Sequence, residues 1–187
     1  MGTPLVRAPP GGYRACMPAD RTVIVRPGTA TDVDGALSVL DAAETRRTGR
    51  PSRAGGFRDR TRRRLGDSGT FFFVAESPAD GPVGLAAATS GREHGGTGPV
   101  LPGLCHISVV AVHPAHWGEG LGGRLVRALL AHGHARGYDR FQLFTQAGNA
   151  RAQRLYESLG FVLTGRTDVS DGGEDIVHYV RERPRGR

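Results

Sequence analysis

The chain contains no lysine. All 25 of its Lys and Arg positions are arginine, and against 18 acidic residues they give a net charge of +7. A complete replacement of one basic residue by the other indicates the codon usage of a GC-rich genome more than a selected binding surface. The charge favours an anionic cofactor and also tolerates nucleic acid, so it does not by itself distinguish between these partners.

Cysteine is almost as scarce, with only Cys16 and Cys105. Two cysteines at this separation provide neither a disulfide framework nor the spacing of a metal site. Cys105 begins an apolar strand and is expected to be an inert, buried thiol. The histidines also lack metal-ligand spacing, so the sequence predicts no metal; they include His94, His132, His134 and His178.

Long apolar runs are absent as well. No stretch approaches the roughly 20 residues of a membrane-spanning helix, and no charged-then-apolar leader precedes the first predicted strand. Met1-Gly2 lacks the Ser or Thr at position 6 that myristoylation requires, because Val6 stands there. We therefore expect a soluble, cytoplasmic protein with no membrane partner.

The length of 187 residues is that of one domain with a real core. Residues 1–21 are rich in Pro, Gly and Arg without periodicity, which predicts a flexible leader. Residues 22–183 are predicted to form a single domain, followed by a tail at 184–187. The predicted order is β-α-α-β-β-β-α-β-α-β-β. The strands are predicted at 22–26, 70–76, 82–89, 107–112, 141–144, 161–165 and 175–181. One helix is predicted to begin near residue 32, and the others at 58–65, from 121 to about 133 and at 149–159, with a loop at 91–103.

The stretch 104–130 has the strongest local pattern. A β-branched run at 107–112 is ended by His113-Pro114, since proline cannot donate to a sheet ladder. A helix presents unpaired N–H groups and partial positive charge at its N-terminus, and glycines remove the Cβ atoms that would keep an anion away. The pattern predicts a phosphate-binding turn, because four glycines precede the next helix: Gly118, Gly120, Gly122 and Gly123.

Two nucleotide-binding motifs match this turn only in part. Gly118 and Gly123 have the spacing of the Walker motif G-x-x-x-x-G-K-S/T, but Arg124-Leu125 replace its lysine and hydroxyl. The dinucleotide motif G-x-G-x-x-G is matched at Gly118, Gly120 and Gly123. That motif should follow its strand directly, with an acidic residue at the end of the next strand. Here five residues intervene, and Asp139 begins the next strand instead.

The acyl-CoA pyrophosphate loop Q/R-x-x-G-x-G/A, which follows a strand ending in V-x-P, fits better. Val112-His113-Pro114 and residues 117–122 match it, except that Trp117 occupies the Gln/Arg position. A second block, N-x-x-A-x-x-L-Y-x-x-L-G-F, is matched in full by residues 149–161. On these two motifs the chain resembles the GNAT superfamily of acyl-CoA N-acyltransferases, over about 22–183.

This resemblance implies an α/β (α+β) fold, with a mixed, strongly twisted sheet of six to seven strands and about four helices. The parallel strands that contain Val112 and Phe144 would splay apart at their ends and hold the pantetheine arm of acetyl-CoA. The implied activity is direct transfer, in a ternary complex, of an acetyl group from acetyl-CoA to a primary amine of a small molecule or peptide.

The resemblance also implies cofactor contacts. Backbone groups of the central strand would pair with the pantetheine arm, and the glycine turn would hold the pyrophosphate. Arg124 is either a further charge at the rim of this turn or a solvated helix residue. The implied cofactor-binding residues are Val110, Ala111, Val112, Gly118, Glu119, Gly120, Leu121, Gly122, Gly123, Asn149 and Tyr156.

Two implied catalytic residues compete with simpler interpretations. Tyr156 aligns with the tyrosine that protonates the leaving thiolate in the family, although its helical period alone indicates a core aromatic. Asn149 contacts the cofactor arm, caps its helix, or does both. His106 lies near the position of the base in relatives, and neutral imidazole suits that task at pH 7, although no base is needed if the amine arrives neutral. Weaker candidates for the base are Glu76, Glu93 and His113.

Two other functions stay open: a catalytically inactive acyl-CoA-binding protein of the same fold, and a nucleic-acid-binding module built on the arginine-dense segment 46–64. The second is less favoured, because the segment matches no nucleic-acid motif and has only Phe57 as an aromatic. We expect this segment to serve the acceptor side or neither ligand, rather than the cofactor. If it selects acidic acceptors, the selection would depend on Arg46, Arg47 and Arg50. No motif identifies the acceptor itself, and a homodimer is compatible with the resemblance.

Overall fold

The computed structural model describes residues 22–50, 56–93 and 96–183. The predicted leader and tail, and Cys16, lie outside these residues. The described chain forms seven strands and four α-helices in the predicted order. They are β1 (Ile24–Pro27), α1 (Val33–Thr48), α2 (Phe57–Leu65), β2 (Thr70–Ser77), β3 (Gly81–Arg92), β4 (Val100–Val112), α3 (Leu121–Ala135), β5 (Arg140–Gln146), α4 (Ala150–Ser158), β6 (Val162–Val169) and β7 (Asp175–Glu182).

All seven strands belong to one sheet, in the order β1-β2-β3-β4-β5-β7-β6. Neighbouring strands run antiparallel except β4 and β5, which are parallel. A parallel pair needs a crossover connection, and α3 supplies it. The predicted mixed sheet with about four helices is therefore confirmed. None of the helices in the described ranges is long and apolar enough to cross a membrane.

The sheet separates two apolar cores. One lies under α3, where Leu125 and Leu129 are fully buried against Phe141 of β5. The other lies under α1 and α2, where Leu37 and Leu65 pack on the opposite face. The period of 3.6 in the helices and of 2 in the strands produces these faces. The two faces of the central strands therefore pack against different helices.

An irregularity in β4 changes which residues face each core. Cys105 and Ile107 belong to the core under α3, whereas Val109 and Ala111 belong to the core under α1 and α2. The change occurs at Ser108, where the register with β3 shifts. Cys105 is fully buried, and burial raises the pKa of its thiol to about 12, so the expectation of an inert thiol is confirmed.

The parallel ladder between β4 and β5 is short. It runs from the pair Leu104 and Arg140 to the pair Ile107 and Leu143, and then stops. Both strands continue, β4 to Val112 and β5 to Gln146. Beyond Ile107 the two strands therefore separate and leave a gap in the sheet, as the resemblance implied.

The loop predicted at 91–103 is wrong at both ends. β3 extends to Arg92 and β4 already begins at Val100, so the connection is a short hairpin. The amide of Glu93 donates to the carbonyl of Pro99 (3.0 Å) and closes the turn. Glycines and prolines interrupt the period-2 pattern here, and the pairing with β3 that extends the strand is not visible in a local sequence pattern.

The last hairpin is longer than predicted. β6 runs over Val162–Val169, whereas the sequence pattern indicated 161–165. Its register with β7 is irregular between Leu163 and Thr167, and Gly165 adopts a φ of 80° within this interval. A positive φ of this kind favours glycine, which looked like the end of the strand in the sequence.

Candidate active site

The glycine turn places a row of free hydrogen-bond donors at the start of α3. Gly118 and Gly120 have φ angles of 98° and 73°, and a Cβ on either would meet no atom within 4 Å. The amides of residues 118–123 donate to no acceptor within the described ranges. Consecutive free amides at a helix N-terminus, facing open space, form a site for an anion.

Trp117 fastens this turn to the end of β4. Its indole Nε1 donates to the carbonyl of Val112 (2.7 Å), and the guanidinium of Arg151 lies 4.8 Å from its ring centroid. The tryptophan thus stands in the Gln/Arg position of the motif but brings an arginine from α4 beside the turn. The loss of one basic side chain from the motif is offset by a second one from another element.

Arg127 and Arg151 are basic residues of the site that the sequence did not indicate. A guanidinium nitrogen of Arg127 lies 3.3 Å from the position that a Cβ on Gly123 would take. Neither arginine pairs with a carboxylate in the part of the chain that the structure describes. Arg127 follows Gly123 by one helical turn, which is a visible pattern, whereas the position of Arg151 depends on how α4 packs.

Arg124 is an exposed residue of α3 that also contacts the segment leading into the chain's first strand. Its guanidinium donates to the carbonyl of Val23 (2.6 Å), just before β1. This hydrogen bond links α3 to the edge of the sheet and leaves the positive charge of Arg124 without an ion pair within the described residues.

The backbone of β4 offers hydrogen-bonding groups to the gap. The amide of His113 donates to the carbonyl of Val83 of β3 (2.9 Å). Along a strand, the backbone N–H and C=O groups of successive residues point alternately to one neighbouring strand and to the other. The backbone groups of Val110 and Val112 consequently face the gap, whereas those of Ala111 face β3. Since the carbonyl of Val112 already accepts from Trp117, Val110 keeps both its amide and its carbonyl available.

The second motif forms α4 and its cap. The Oδ1 atom of Asn149 accepts from the amide of Ala152 (3.1 Å), so the capping interpretation is confirmed. Leu159 ends the helix, and Gly160 follows with a φ of 81°. The cap uses only the Oδ1 atom of Asn149, so the side-chain amide nitrogen of Asn149 can still donate to a second partner.

Tyr156 belongs to the core under α3. It is 6% exposed and packs edge-on against Phe161 with ring centroids 5.8 Å apart. Its hydroxyl makes no hydrogen bond with any described residue. Burial raises the pKa of this hydroxyl well above its usual value, so it is protonated at neutral pH. The ring is structural, and the hydroxyl remains an unused proton donor.

A cleft of about 570 Å³ lies on the face of the sheet that α1 and α2 cover. His106, Gln142 and Phe144 line its floor, and Arg64 and Arg166 line its walls. The Nδ1 atom of His106 is buried without a hydrogen-bond partner. Burial, with smaller contributions from Arg64 and His178, lowers the pKa of His106 to about 4. The imidazole is therefore neutral at pH 7.

Two of the weaker candidates for the base lie outside the cleft, and the third lines it. Glu76 accepts from Arg26 Nε (2.6 Å) where β2 pairs with β1, two strands away from β4. His113 Nδ1 accepts from the amide of Ala115 (3.3 Å) in the turn after β4. Glu93 lines the cleft beside the hairpin of β3 and β4. Of the two histidines proposed, only His106 lines the floor of the cleft.

Helices α1 and α2 together form a helical cover over one face of the sheet. Ion pairs connect this helical cover to the last hairpin, which consists of β6 and β7. Arg47 donates to both carboxylate oxygens of Glu174 (2.8 and 3.0 Å) and also to Glu44 (2.8 Å). Arg60 pairs with Asp171 (2.9 Å). Arg47 is thus already paired with two carboxylates, and these pairs weigh against a role for it in selecting an acidic acceptor.

Further arginines of the dense segment pair within the helical cover. Arg58 pairs with Asp41, and Arg62 pairs with Asp34 (2.7 Å). An arginine that is already paired with a carboxylate is a poor ligand for nucleic-acid phosphates, so these contacts weigh against the nucleic-acid interpretation. Within the described ranges no group of three or more His, Cys, Asp or Glu side chains is arranged to hold a metal ion.

A splayed parallel pair beside a helix N-terminus that can bind an anion is the arrangement of the acyl-CoA N-acyltransferases. A sequence model of the acetyltransferase (GNAT) family matches residues 39–161, which is more than half of the chain. The chain belongs to this family, and the resemblance drawn from its two motifs is confirmed.

Curated relatives match parts of the chain. A mycothiol acetyltransferase of Thermobispora bispora is 41% identical over 91 residues, which are 48% of this chain and 29% of that protein. N-acetyltransferase family 8 member 3 of Mus musculus is 34% identical over 113 residues, which are 58% of this chain and 46% of that protein. The chain thus spans less than half of the length of either relative.

Solved structures share the fold over almost the whole chain. The ribosomal-protein-S18-alanine N-acetyltransferase of Escherichia coli has a TM-score of 0.68 at 20% identity, and the match covers 89% of this chain and 97% of that one. A chain of the NatC complex bound to Gag peptide and CoA has a TM-score of 0.62 at 16% identity, with 86% and 98% covered. At these identities the likeness concerns the fold.

Gly120→Val should weaken the affinity for acetyl-CoA about 10-fold or more, because its side chain would occupy the space that the free amides face. Gly137→Val is the matched control. Gly137 lies just beyond the other end of α3, has a φ of 89°, and likewise has no atom within 4 Å of its Cβ position. Isothermal titration calorimetry measures both variants. Equal affinity of wild type and Gly120→Val, or an equal loss in Gly137→Val, would contradict the assignment of this turn.

Proposed function

We propose that the chain is an N-acetyltransferase that moves an acetyl group from acetyl-CoA to a primary amine of a small molecule or peptide, by direct transfer in a ternary complex. The gap between β4 and β5 carries this proposal. It joins the free amides before α3, on one face of the sheet, to the cleft around His106 on the other. A thioester held in the gap can therefore meet an amine that arrives from the opposite face.

The residues on the α3 side fit an acyl-CoA. The amides of residues 118–123, with Arg127 and Arg151 nearby, suit the negative charge of the pyrophosphate. The free amide and carbonyl of Val110 suit the amide groups of the pantetheine arm, in the manner of an added strand. The side-chain amide of Asn149 provides a further donor beside the arm. When bound, acetyl-CoA supplies the reactive thioester and its thiol leaving group.

His106 and Tyr156 divide the proton transfers between the two faces. As the amine nitrogen bonds to the thioester carbon, His106 accepts a proton from that nitrogen. As the carbon–sulfur bond breaks, the hydroxyl of Tyr156 gives its proton to the sulfur. The products are the acetylated amine and the free thiol, and the proton on His106 returns through solvent to Tyr156.

The acceptor class rests on relatives of two kinds. The names of the curated relatives from bacteria refer to mycothiol, whereas the structural relative from Escherichia coli is named for a ribosomal protein. Both names are compatible with acyl transfer to an amine. An acetyl-CoA assay over a panel of primary amines, read by free-thiol release and by mass of the product, tests the proposal. Tight binding of acetyl-CoA without transfer to any amine would favour the inactive acyl-CoA-binding alternative.

Tyr156→Phe should lower kcat on the order of 100-fold, because it removes only the proton that the leaving thiol needs. Tyr179→Phe is the control, since Tyr179 is also buried and its hydroxyl donates to Glu157 (3.0 Å). That change should instead lower the free energy of unfolding by about 1–3 kcal/mol, with nearly normal turnover. Turnover of Tyr156→Phe within about twofold of wild type, where chemistry limits the rate, would reject the acid role.

The pH dependence of kcat/KM should show no contribution from His106 between pH 5 and 9. A base acts in its deprotonated form, and a pKa lowered to about 4 keeps His106 deprotonated over this whole range. The rising limb of the pH profile should have its midpoint at the pKa of the acceptor amine, and this midpoint should shift when amines of different pKa are compared. His106→Gln should reduce kcat about 100-fold without moving that limb. A limb with its midpoint between pH 6 and 7 that disappears in His106→Gln would contradict this account.

A further inference from the structure

Arg64 and Arg166 stand out among the arginines of the cleft. Arg64 lies in the last turn of α2, and Arg166 lies in the irregular interval of β6. Neither side chain pairs with a carboxylate or donates a hydrogen bond within the described ranges. By contrast, Arg47 and Arg60, on the same helical cover, are both paired with acidic residues of the last hairpin.

The carboxylates that line the cleft form no ion pair with these two arginines. Asp67 accepts from the amide of Gly69 (3.0 Å), and Asp168 accepts from the amide of Val169 (2.9 Å). Both are used by the backbone of their own loop or strand, and Glu93, the third, forms no ion pair with Arg64 or Arg166. The cleft therefore contains two guanidinium groups that form no ion pair with any residue that the structure describes.

The two arginines flank the imidazole of His106. Arg64 is close enough to contribute to the lowered pKa of His106. Arg166 lies over the ring of Phe144, 5.2 Å from its centroid, and that centroid is 6.4 Å from the ring of His106. One arginine comes from the helical cover and the other from the far edge of the sheet, so the unpaired positive charges enclose the base from two walls.

We propose that the cleft binds an amine that carries an anionic oxyacid group, a carboxylate or a phosphate, which Arg64 and Arg166 hold while the amine lies at His106. This proposal rests on the function proposed above. A guanidinium donates two parallel hydrogen bonds to either group, so both oxyacids share the required chemistry. The volume of about 570 Å³ is that of a small-molecule site.

The bound anion would also act on the base. The positive charge of Arg64 disfavours protonation of His106, and an anion on that guanidinium would offset this effect. An acidic acceptor would thus strengthen the base that removes its own proton, whereas a neutral amine of the same shape would not. Selectivity should therefore appear in KM and, to a smaller extent, in kcat.

The experiment compares three acceptors with the same alkyl chain and the same terminal amine: an aminocarboxylate, an aminophosphonate and the neutral amide of the aminocarboxylate. Wild type should use at least one anionic acceptor about 10-fold or more better than the amide, by kcat/KM. The carboxylate and phosphonate arms identify which oxyacid the site prefers. Arg64→Gln and Arg166→Gln should each reduce this preference on the order of 10-fold, mainly through KM, with unchanged affinity for acetyl-CoA.

Arg63→Gln is the matched control, because Arg63 is exposed on the same helix and does not line the cleft. It should leave the preference unchanged. Arg166→Glu should go further and favour a diamine over the aminocarboxylate. Melting temperatures of all variants, measured alongside, separate loss of the site from loss of the fold.

Two failures can be told apart. If wild type acetylates the amide as well as both anionic acceptors, or if Arg63→Gln changes the preference as much as Arg64→Gln, the acidic acceptor is rejected and the acetyltransferase function stands. If no amine is acetylated, the function fails. Calorimetry with CoA-loaded protein still decides the inference in that case, because the aminocarboxylate or aminophosphonate must bind more tightly than the amide, and through Arg64 and Arg166.

Discussion

The structure depends on one interruption, the end of the parallel ladder between β4 and β5 after Ile107 and Leu143. A sheet in which every strand pairs along its full length separates its two faces completely. Here the unpaired ends of the two strands leave an opening between the core under α3 and the cleft under α1 and α2. The opening also frees backbone groups of Val110, which would otherwise be used in the ladder. The opening thus connects the free amides before α3 with the cleft around His106, which is the connection that the proposed acyl transfer requires.

A chain whose basic residues are all arginine uses them in physically different ways. In the helical cover, Arg47, Arg58, Arg60 and Arg62 form ion pairs that join the helices to each other and to the last hairpin. Pairs of this partly exposed kind contribute little stability individually, but they fix how the helices lie over the cleft. In contrast, Arg127 and Arg151, beside the glycine turn, and Arg64 and Arg166, in the cleft, form no ion pair within the described residues. At the two candidate sites, an arginine without an ion pair keeps its guanidinium donors available to an anionic ligand.

The sequence predicted what local patterns encode. The glycine turn, the cap at Asn149 and the order of the elements follow from spacing within one strand or helix. The sequence did not predict the contact of Arg151 with Trp117, or the pairing of Arg47 with Glu174, which is 127 positions away. Such contacts depend on how distant elements pack, so the unpaired state of Arg64 could not be inferred either. The Gly- and Pro-rich hairpin was missed because strand pairing there overrides local propensity.

The position of His106 connects acceptor choice with the chemistry. In the proposed reaction, the partly buried imidazole of His106 is neutral, which a base requires, but it is also a weak base, because burial and the charge of Arg64 oppose its protonated form. A base of this kind works best when the proton it receives is compensated as it arrives. The protein provides no carboxylate within hydrogen-bonding distance of the buried Nδ1 atom, which has no partner among the described residues. If the compensation comes from the acceptor's own anion on Arg64, the cleft is a complete catalytic site only when that acceptor is bound.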